Sequence, residues 1–220
     1  MANTEGDKFP IYPYDQDDDL IAAVREDGQP HLSVYPYPEV AVILGRGGKP
    51  TIELRSDTIC ADCVPILRRA GGGCAVVLDP GNVIVSVVLP LPGIGGVKTA
   101  FRWLSDRLID GLASLGVPEV KQRGISDLAL GDRKIGGSCI YRTRGLLYYS
   151  ATLLVSPNID LVERYLQHPP REPGYRKRRP HREFMGQLLD HLDGINSNGI
   201  NTVNFAASLE SVLRIDSYDY

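Results

Sequence analysis

Val97-Lys98-Thr99-Ala100-Phe101-Arg102-Trp103-Leu104-Ser105-Asp106-Arg107-Leu108-Ile109-Asp110-Gly111-Leu112-Ala113-Ser114-Leu115 reads as the clearest helix in the chain. Val97, Phe101, Leu104, Leu108, Leu112 and Leu115 recur at steps of three and four, which gives one face an apolar stripe. Gly116-Val117-Pro118 ends it, because glycine takes the turn a helix end needs and proline cannot continue the helix. Such a stripe needs a sheet to cover it. β-rich runs precede the helix at His31 to Tyr35, Glu39 to Leu44, Cys74 to Leu78 and Val83 to Leu89. More follow it at Asp127 to Leu130, Lys134 to Tyr141 and Leu146 to Val155, with Gly145 as a turn between the last two. Strands mixed with flanking helices predict an α+β domain with a mixed, mainly antiparallel sheet.

Outward from this centre, Asp15 to Asp27 reads as a helix, with acidic residues at its start and Leu20, Ile21 and Val24 as its apolar stripe. Asp17-Asp18-Asp19 is read as a solvated helix start. Ile159 to Gln167 returns to helical spacing, and the proline- and arginine-rich His168 to Arg182 reads as irregular chain before a C-terminal helical pair. The expected organisation is an N-terminal arm over 1–14, a domain over 15–168 and a basic segment with helices over 169–220 packed on the same domain.

A chain of 220 residues with 43% hydrophobic content can bury one substantial core. A formal charge of -3 gives no reason to expect nucleic acid as a partner. Neither a signal-like leader nor a membrane-length apolar run is read, so no membrane is expected and a cytoplasmic location is. The four cysteines do not make a disulfide framework in a chain this long. Cys60-Ala61-Asp62-Cys63 has the spacing of zinc and redox sites but no second pair to complete a tetrahedral set, so no metal held by protein ligands is expected. The two thiols are expected to share a face of a short helix and pack inward.

Two segments carry candidate chemistry. Arg68-Arg69-Ala70-Gly71-Gly72-Gly73 places three glycines between β-rich runs, where they are costly unless the backbone must turn sharply or approach something closely. An adjacent guanidinium suits a carboxylate or phosphate. The plainer reading is a glycine-rich hairpin with surface arginines. Asp132-Arg133-Lys134-Ile135-Gly136-Gly137-Ser138-Cys139 sets a lysine before a glycine pair and a hydroxyl in a strand, and alone it reads equally as a solvated lysine.

Together with Val42-Ile43-Leu44-Gly45-Arg46 and Asp79-Pro80-Gly81-Asn82, these blocks resemble lipoate-protein ligases of the biotin/lipoate ligase superfamily in order and spacing, over roughly Asp15 to His168. The resemblance implies that fold, with a lipoyl or octanoyl chain in a tunnel beside the glycine-rich loop. It implies ATP with magnesium as co-substrate, lipoate or octanoate as acid, an acyl-AMP intermediate, and transfer to a lysine of a lipoyl carrier domain. It matches Lys134 to the catalytic lysine and assigns Arg68, Gly71, Gly72, Gly73, Cys74, Ala75, Val76, Asn82, Asp127, Gly137 and Ser138 to substrate and nucleotide binding.

The chain departs from the family pattern at several points. Ala70 stands where serine or threonine is usual, Leu78 where many members have histidine, and Gly136 where serine is common. Tyr148-Tyr149-Ser150-Ala151-Thr152-Leu153-Leu154 replaces a segment that usually carries a histidine. A separate accessory chain could supply the missing C-terminal domain of the full-length ligases. The alternatives are an ATP-independent octanoyl or lipoyl transferase, with Cys139 as candidate nucleophile; a biotin ligase; and a non-catalytic binder of lipoyl-like ligands. Cys74 and Cys139 also read as small buried fillers. The basic residues Arg171, Arg176, Lys177, Arg178, Arg179 and Arg182 read as a solvated loop or as a dock for an acidic carrier domain.

Overall fold

A computed structural model describes residues 9–192 and 201–215. In chain order the elements are β1 (Tyr12–Pro13), α1 (Asp18–Asp27), β2 (His31–Pro36), β3 (Ala41–Leu44), α2 (Pro50–Glu53), α3 (Ser56–Ala61), β4 (Ile66–Arg68), β5 (Val76–Leu78), β6 (Asn82–Pro90) and α4 (Val97–Ser114). They continue with β7 (Lys121–Arg123), β8 (Asp127–Leu130), β9 (Arg133–Thr143), β10 (Leu146–Leu154), α5 (Ile159–Tyr165), α6 (His181–Phe184) and α7 (Thr202–Val212).

The strands form two sheets whose pairings are mixed and mainly antiparallel, as the sequence predicts. Six of them run antiparallel in the order β2-β6-β10-β9-β8-β7. The other four are ordered β1-β4-β3-β5, parallel except for the β3-β5 pair. The long strands β6, β9 and β10 pair along most of their length, and their side chains alternate between two buried faces.

On one face Val83, Val85, Val87 and Leu89 of β6 and Leu147, Tyr149, Ala151 and Leu153 of β10 meet the α4 stripe of Ala100, Leu104, Leu108 and Leu112. Phe205, Ala206 and Leu209 of α7 join the same core. Each fully buried side chain of this size contributes roughly 1.5–3 kcal/mol, so this face supplies most of the driving force for the larger sheet. The smaller sheet has its own core, where Val42, Leu44, Ile66 and Val77 pack on Val162 and Tyr165 of α5.

Asp79-Pro80-Gly81-Asn82 is the corner that joins the two sheets. Asn82 Oδ1 accepts from the Asp79 amide at 2.8 Å, and the Asp79 carboxylate accepts from the amides of Gly81 at 2.6 Å and Asn158 at 2.8 Å. Asn158 in turn caps α5 through the amide of Asp160. Asn82 is fully buried in this corner, where its Oδ1 is taken by the Asp79 amide.

Several expectations are corrected in detail. Strand β4 and helix α2 were not read, because a three-residue strand and a one-turn helix leave no period to detect. Cys60 and Cys63 are exposed instead of packed inward; Ile59 is the residue of α3 that turns to the core. At the C-terminus α6 is a single turn and α7 a longer helix, while residues 193–200 fall outside those described, as do 1–8 of the expected arm.

Candidate functional site

A cavity of about 280 Å³ lies between the two sheets. Its wall includes Ile43 and Val76 to Leu78 from the smaller sheet, and Ile84, Ser150, Thr152, Gly137 and Cys139 from the larger. The register of the larger sheet shows how its floor is laid. One row across β2, β6, β10 and β9 reads Tyr35, Ile84, Thr152, Gly137; the next reads Ser33, Ser86, Ser150, Cys139; a third reads His31, Val88, Tyr148, Tyr141.

The glycine triplet crosses this floor, held by the two arginines before it. Arg69 donates to the carbonyls of Ile43 at 3.2 Å, Gly72 at 2.9 Å and Cys74 at 2.9 Å, and it lines the cavity. Arg68, the residue carried over from the family pattern, instead donates to the carbonyls of Gly45 and Gly48 at 3.0 Å each and is not among the lining residues. Arg68 is the last residue of β4 and Arg69 the first beyond it, and their guanidinium groups take different carbonyl partners. Asn82, also expected at the ligand, likewise does not line the cavity.

The glycines have distinct reasons. A Cβ on Gly71 would come within 2.6 Å of the Cys139 sulfur, and Gly73 holds a φ of 102° that disfavours any other residue. Gly72 has nothing within 4 Å of its Cβ position, so its bare backbone faces open space at the cavity. Ala75 is anchored by its amide, which donates to the buried Glu53 carboxylate at 2.6 Å.

Lys134 stands at the edge of the floor. The pairing of β8 with β9 shifts there, so that Leu128 faces Gly136 while Ala129 faces Lys134, leaving Ile135 as an extra residue that sinks into the core. The bulge lets Lys134 and Gly137 share the cavity side. Lys134 Nζ lies 2.7 Å from Asp127 Oδ1, and the Tyr175 hydroxyl donates to Asp127 Oδ2 at 3.0 Å. Burial and the Asp127 charge raise the Tyr175 pKa, so the phenol keeps the proton it donates. Lys134 and Asp127 line the cavity together with Gly71 to Val76, Gly137 and Ser138. Nothing in the sequence marked Tyr175, which reaches the site from a stretch read as irregular.

At the other end of the floor sits Asp17. It is 5% exposed, against the expectation of a solvated helix start. Its Oδ1 accepts from Tyr35 at 3.0 Å, and its Oδ2 accepts from Ser86 at 2.9 Å and from the Tyr148 hydroxyl. Burial first, and then the Asp17 charge, push the Tyr35 and Tyr148 phenols far above their ordinary range. Asp18 and Asp19, one and two residues on, are exposed as expected; the run divides because one position of its turn faces the sheet.

Both candidate thiols lie against the cavity. Cys139 is beside Arg69, yet burial pushes its thiol pKa up, the opposite of what an attacking thiolate needs. Cys74 donates weakly to the Arg171 carbonyl at 3.7 Å. The cavity is closed over by residues 169–185, with Pro169, Arg171, Pro173, Arg176, His181, Phe184 and Met185 in its wall. This basic stretch is tied into the molecule more than the loop reading implied. Arg176 is buried, Arg179 pairs with Asp132 at 2.8 Å, and Arg182 pairs with Asp160. The strap meets β9 at the site itself, where the Gly186 amide donates to the Lys134 carbonyl at 2.8 Å. His181, buried in the strap, has its pKa lowered by burial and by Arg176.

The lipoyl protein ligase A/B catalytic domain family matches residues 10–213 of this chain. Lipoate-protein ligase A of Psychrobacter cryohalolentis is 32% identical over 129 residues, covering 58% of this chain and 36% of that protein. A probable lipoate-protein ligase A of Mycoplasma genitalium is 30% identical over 125 residues, covering 57% and 37%. The matched stretch thus spans little more than a third of the length of these curated relatives. A bi-partite lipoate protein ligase of Thermoplasma acidophilum, solved in a study with its E2 lipoyl domain, superposes with a TM-score of 0.70 at 22% identity, covering 93% of this chain and 78% of that one. A lipoate-protein ligase A bound with ATP gives 0.68 at 21% identity, covering 87% and 74%. These two share the α+β fold described above. With the family model reaching from the arm to the last described helix, this chain belongs to the lipoyl protein ligase A/B catalytic domain family.

Proposed function

We propose that this chain activates lipoate or a related acyl acid with ATP and passes the acyl group to a lysine on a lipoyl carrier domain. The observation that carries the reading is Lys134 held by Asp127 at the mouth of a cavity floored by Gly137 and roofed by the glycine triplet. In the first step a carboxylate oxygen of the acid attacks the α-phosphorus of ATP and pyrophosphate leaves. In the second the acceptor amine attacks the acyl carbon, an amide forms, AMP leaves and the amine loses a proton. Negative charge gathers between carboxylate and α-phosphate in the first step. An ammonium fixed before the reaction stabilises that charge without rearranging. Asp127 and Tyr175 act as positioning residues that hold it there.

Among the described residues no group of three or more His, Cys, Asp or Glu is arranged to hold a metal ion. Magnesium would therefore arrive with the nucleotide phosphates, its usual habit. No helix among the described residues is long and apolar enough to cross a membrane. A bi-partite relative of the same fold motivates adding a separate accessory chain to the assay.

The second reading, acyl transfer through a Cys139 thioester without ATP, draws on the position of that thiol beside Arg69 at the cavity. One experiment separates the two. Intact-mass measurement of an acceptor lipoyl domain, after mixing with this protein, lipoate and ATP, should show one added lipoyl group that is absent when ATP is withheld. ATP-independent acylation from an octanoyl-carrier donor, with a thioester on this protein, would overturn the adenylate reading in favour of the transferase.

A further inference from the structure

The cavity floor has an unusual inner end. Where an alkyl chain would be expected to meet hydrocarbon, the middle row of the sheet reads Ser33, Ser86, Ser150, Cys139 across four strands; Ser150 and Cys139 line the cavity, and the fully buried Ser86 hydroxyl lies 3.5 Å from that of Ser150. Above that row sits the buried Asp17 carboxylate, with Tyr148 and Tyr141 beside it in the cavity wall. From Gly137, beside Lys134, to Ser86 beneath Asp17 is two strands across and two residues along, about 12 Å. That is the reach of a medium-length acyl chain whose carboxylate sits at Lys134.

The hydrogen bonding at Asp17 is one-sided. A carboxylate offers about four acceptor sites and no donor, and three are taken by Tyr35, Ser86 and Tyr148. No ion pair involving Asp17 is found among the described residues, and its buried carboxylate is met by neutral hydroxyl donors. A hydrocarbon terminus pressed against this end would displace water from the carboxylate and return no hydrogen bond. A terminus that donates one would fill the remaining acceptor site.

We infer that Asp17 is a specificity-determining residue, and that the inner end of the cavity takes an acyl acid whose far end carries a hydrogen-bond donor, such as a hydroxyl or N–H group. This rests on the proposed acyl-acid reading of the cavity and narrows it. The high phenol pKa values of Tyr35 and Tyr148 agree with the hydrogen-bond directions at Asp17, since both phenols keep the protons they donate to it.

The test is calorimetry on the full chain, without ATP, using octanoate, lipoate, 8-hydroxyoctanoate and 8-methoxyoctanoate. The last keeps an oxygen at the same position but caps it with a methyl group, so it cannot donate. The hydroxy acid should bind about tenfold or more tightly than the other three, the discrimination expected when a buried polar group is left unpaired. Asp17→Leu should abolish the preference, and Asp17→Asn, which keeps an acceptor oxygen, should restore part of it. If Asp17→Leu fails to fold, judged by circular dichroism, the preference of the unaltered protein decides alone. Equal or tighter binding of octanoate or lipoate by that protein overturns the inference, as does an unchanged preference in a folded Asp17→Leu variant. Pyrophosphate release is measured in parallel. A hydroxy-acid preference without release with ATP leaves the inference standing and sinks the ligase reading, whereas release with an octanoate preference does the reverse. Failure of every acid to bind overturns both.

Discussion

The two faces of the six-stranded sheet are built by the same strands, yet their chemistry differs. Toward α4 the strands present Val83, Val85, Val87, Leu147, Ala151 and Leu153 in one apolar core. Toward the cavity the intervening positions are Ile84, Tyr148, Ser150 and Thr152, and on β9 Gly137 and Cys139; Ser86, on the same side, is fully buried beneath Asp17. The core face is fully buried, whereas Ser150, Thr152, Gly137 and Cys139 on the cavity face are only half-buried, and the residue types at alternating positions follow that division. The first face stabilises the fold, and the second spends part of that stability on small and polar groups that leave room for a ligand. Substitutions on the two faces should accordingly register in different measurements.

The largest effect is expected at Lys134. Lys134→Ala should lower pyrophosphate release on the order of 100- to 1,000-fold, the usual loss for a fixed transition-state donor, while the melting temperature stays close to that of the parent. Normal release from the folded variant would remove Lys134 from the proposed chemistry. On the opposite face Leu153→Ala should cost about 2–5 kcal/mol in urea unfolding, because Leu153 is fully buried against the helices and leaves a void. Thr152→Ala, one residue along and facing the cavity, should cost about 1 kcal/mol. Equal losses at the two positions would erase the contrast between the faces.

Gly72→Val comes next. Its Cβ position is open, so folding should be unaffected while acid binding weakens roughly tenfold or more as the new side chain fills ligand space. Calorimetry that finds unchanged affinity would mean the triplet does not roof the ligand. The smallest effect concerns His181 in the strap. Its folded pKa lies below the ordinary 6.5, so the unfolded chain binds more protons near and below that pH and stability falls as pH is lowered through this range. His181→Gln should flatten the fall between pH 7 and 5, seen as a shallower dependence of the urea midpoint on pH. An unaltered slope would place the titration elsewhere.

Much of the framework was legible in the sequence because it is local and periodic. The α4 stripe and the runs that became β6, β9 and β10 carry their apolar patterns over nine or more residues. The glycine triplet and Lys134 were legible by resemblance, and the structure brings both to one cavity. What escaped depends on partners far along the chain. Asp17 looks like its neighbours Asp18 and Asp19 until Ser86 and Tyr148 are known to lie under it. Arg68 and Arg69 are adjacent and identical in type, and only the carbonyls each one reaches tell them apart. Tyr175 reaches Asp127 from a proline-rich stretch with no period at all. Even the arginines of the strap disclose their ties only when Asp132 and Asp160 are in place.

The bond between Asp17 and Tyr148 also sets an order of events in the cell. Its partners are 131 residues apart in the chain, and synthesis at about 5–20 residues per second puts roughly 7 to 26 seconds between them. For that interval α1 emerges from the ribosome with its acidic turn still in water, and the sheet row that will cover it is incomplete. The ligand end of the cavity is thus among the last parts of the molecule to close, after β6 and α4 have been made. A nascent chain arrested before β10 would hold the α4 helix and much of its stripe, yet lack the strand that joins β6 to β9, leaving the floor for an acyl chain incomplete.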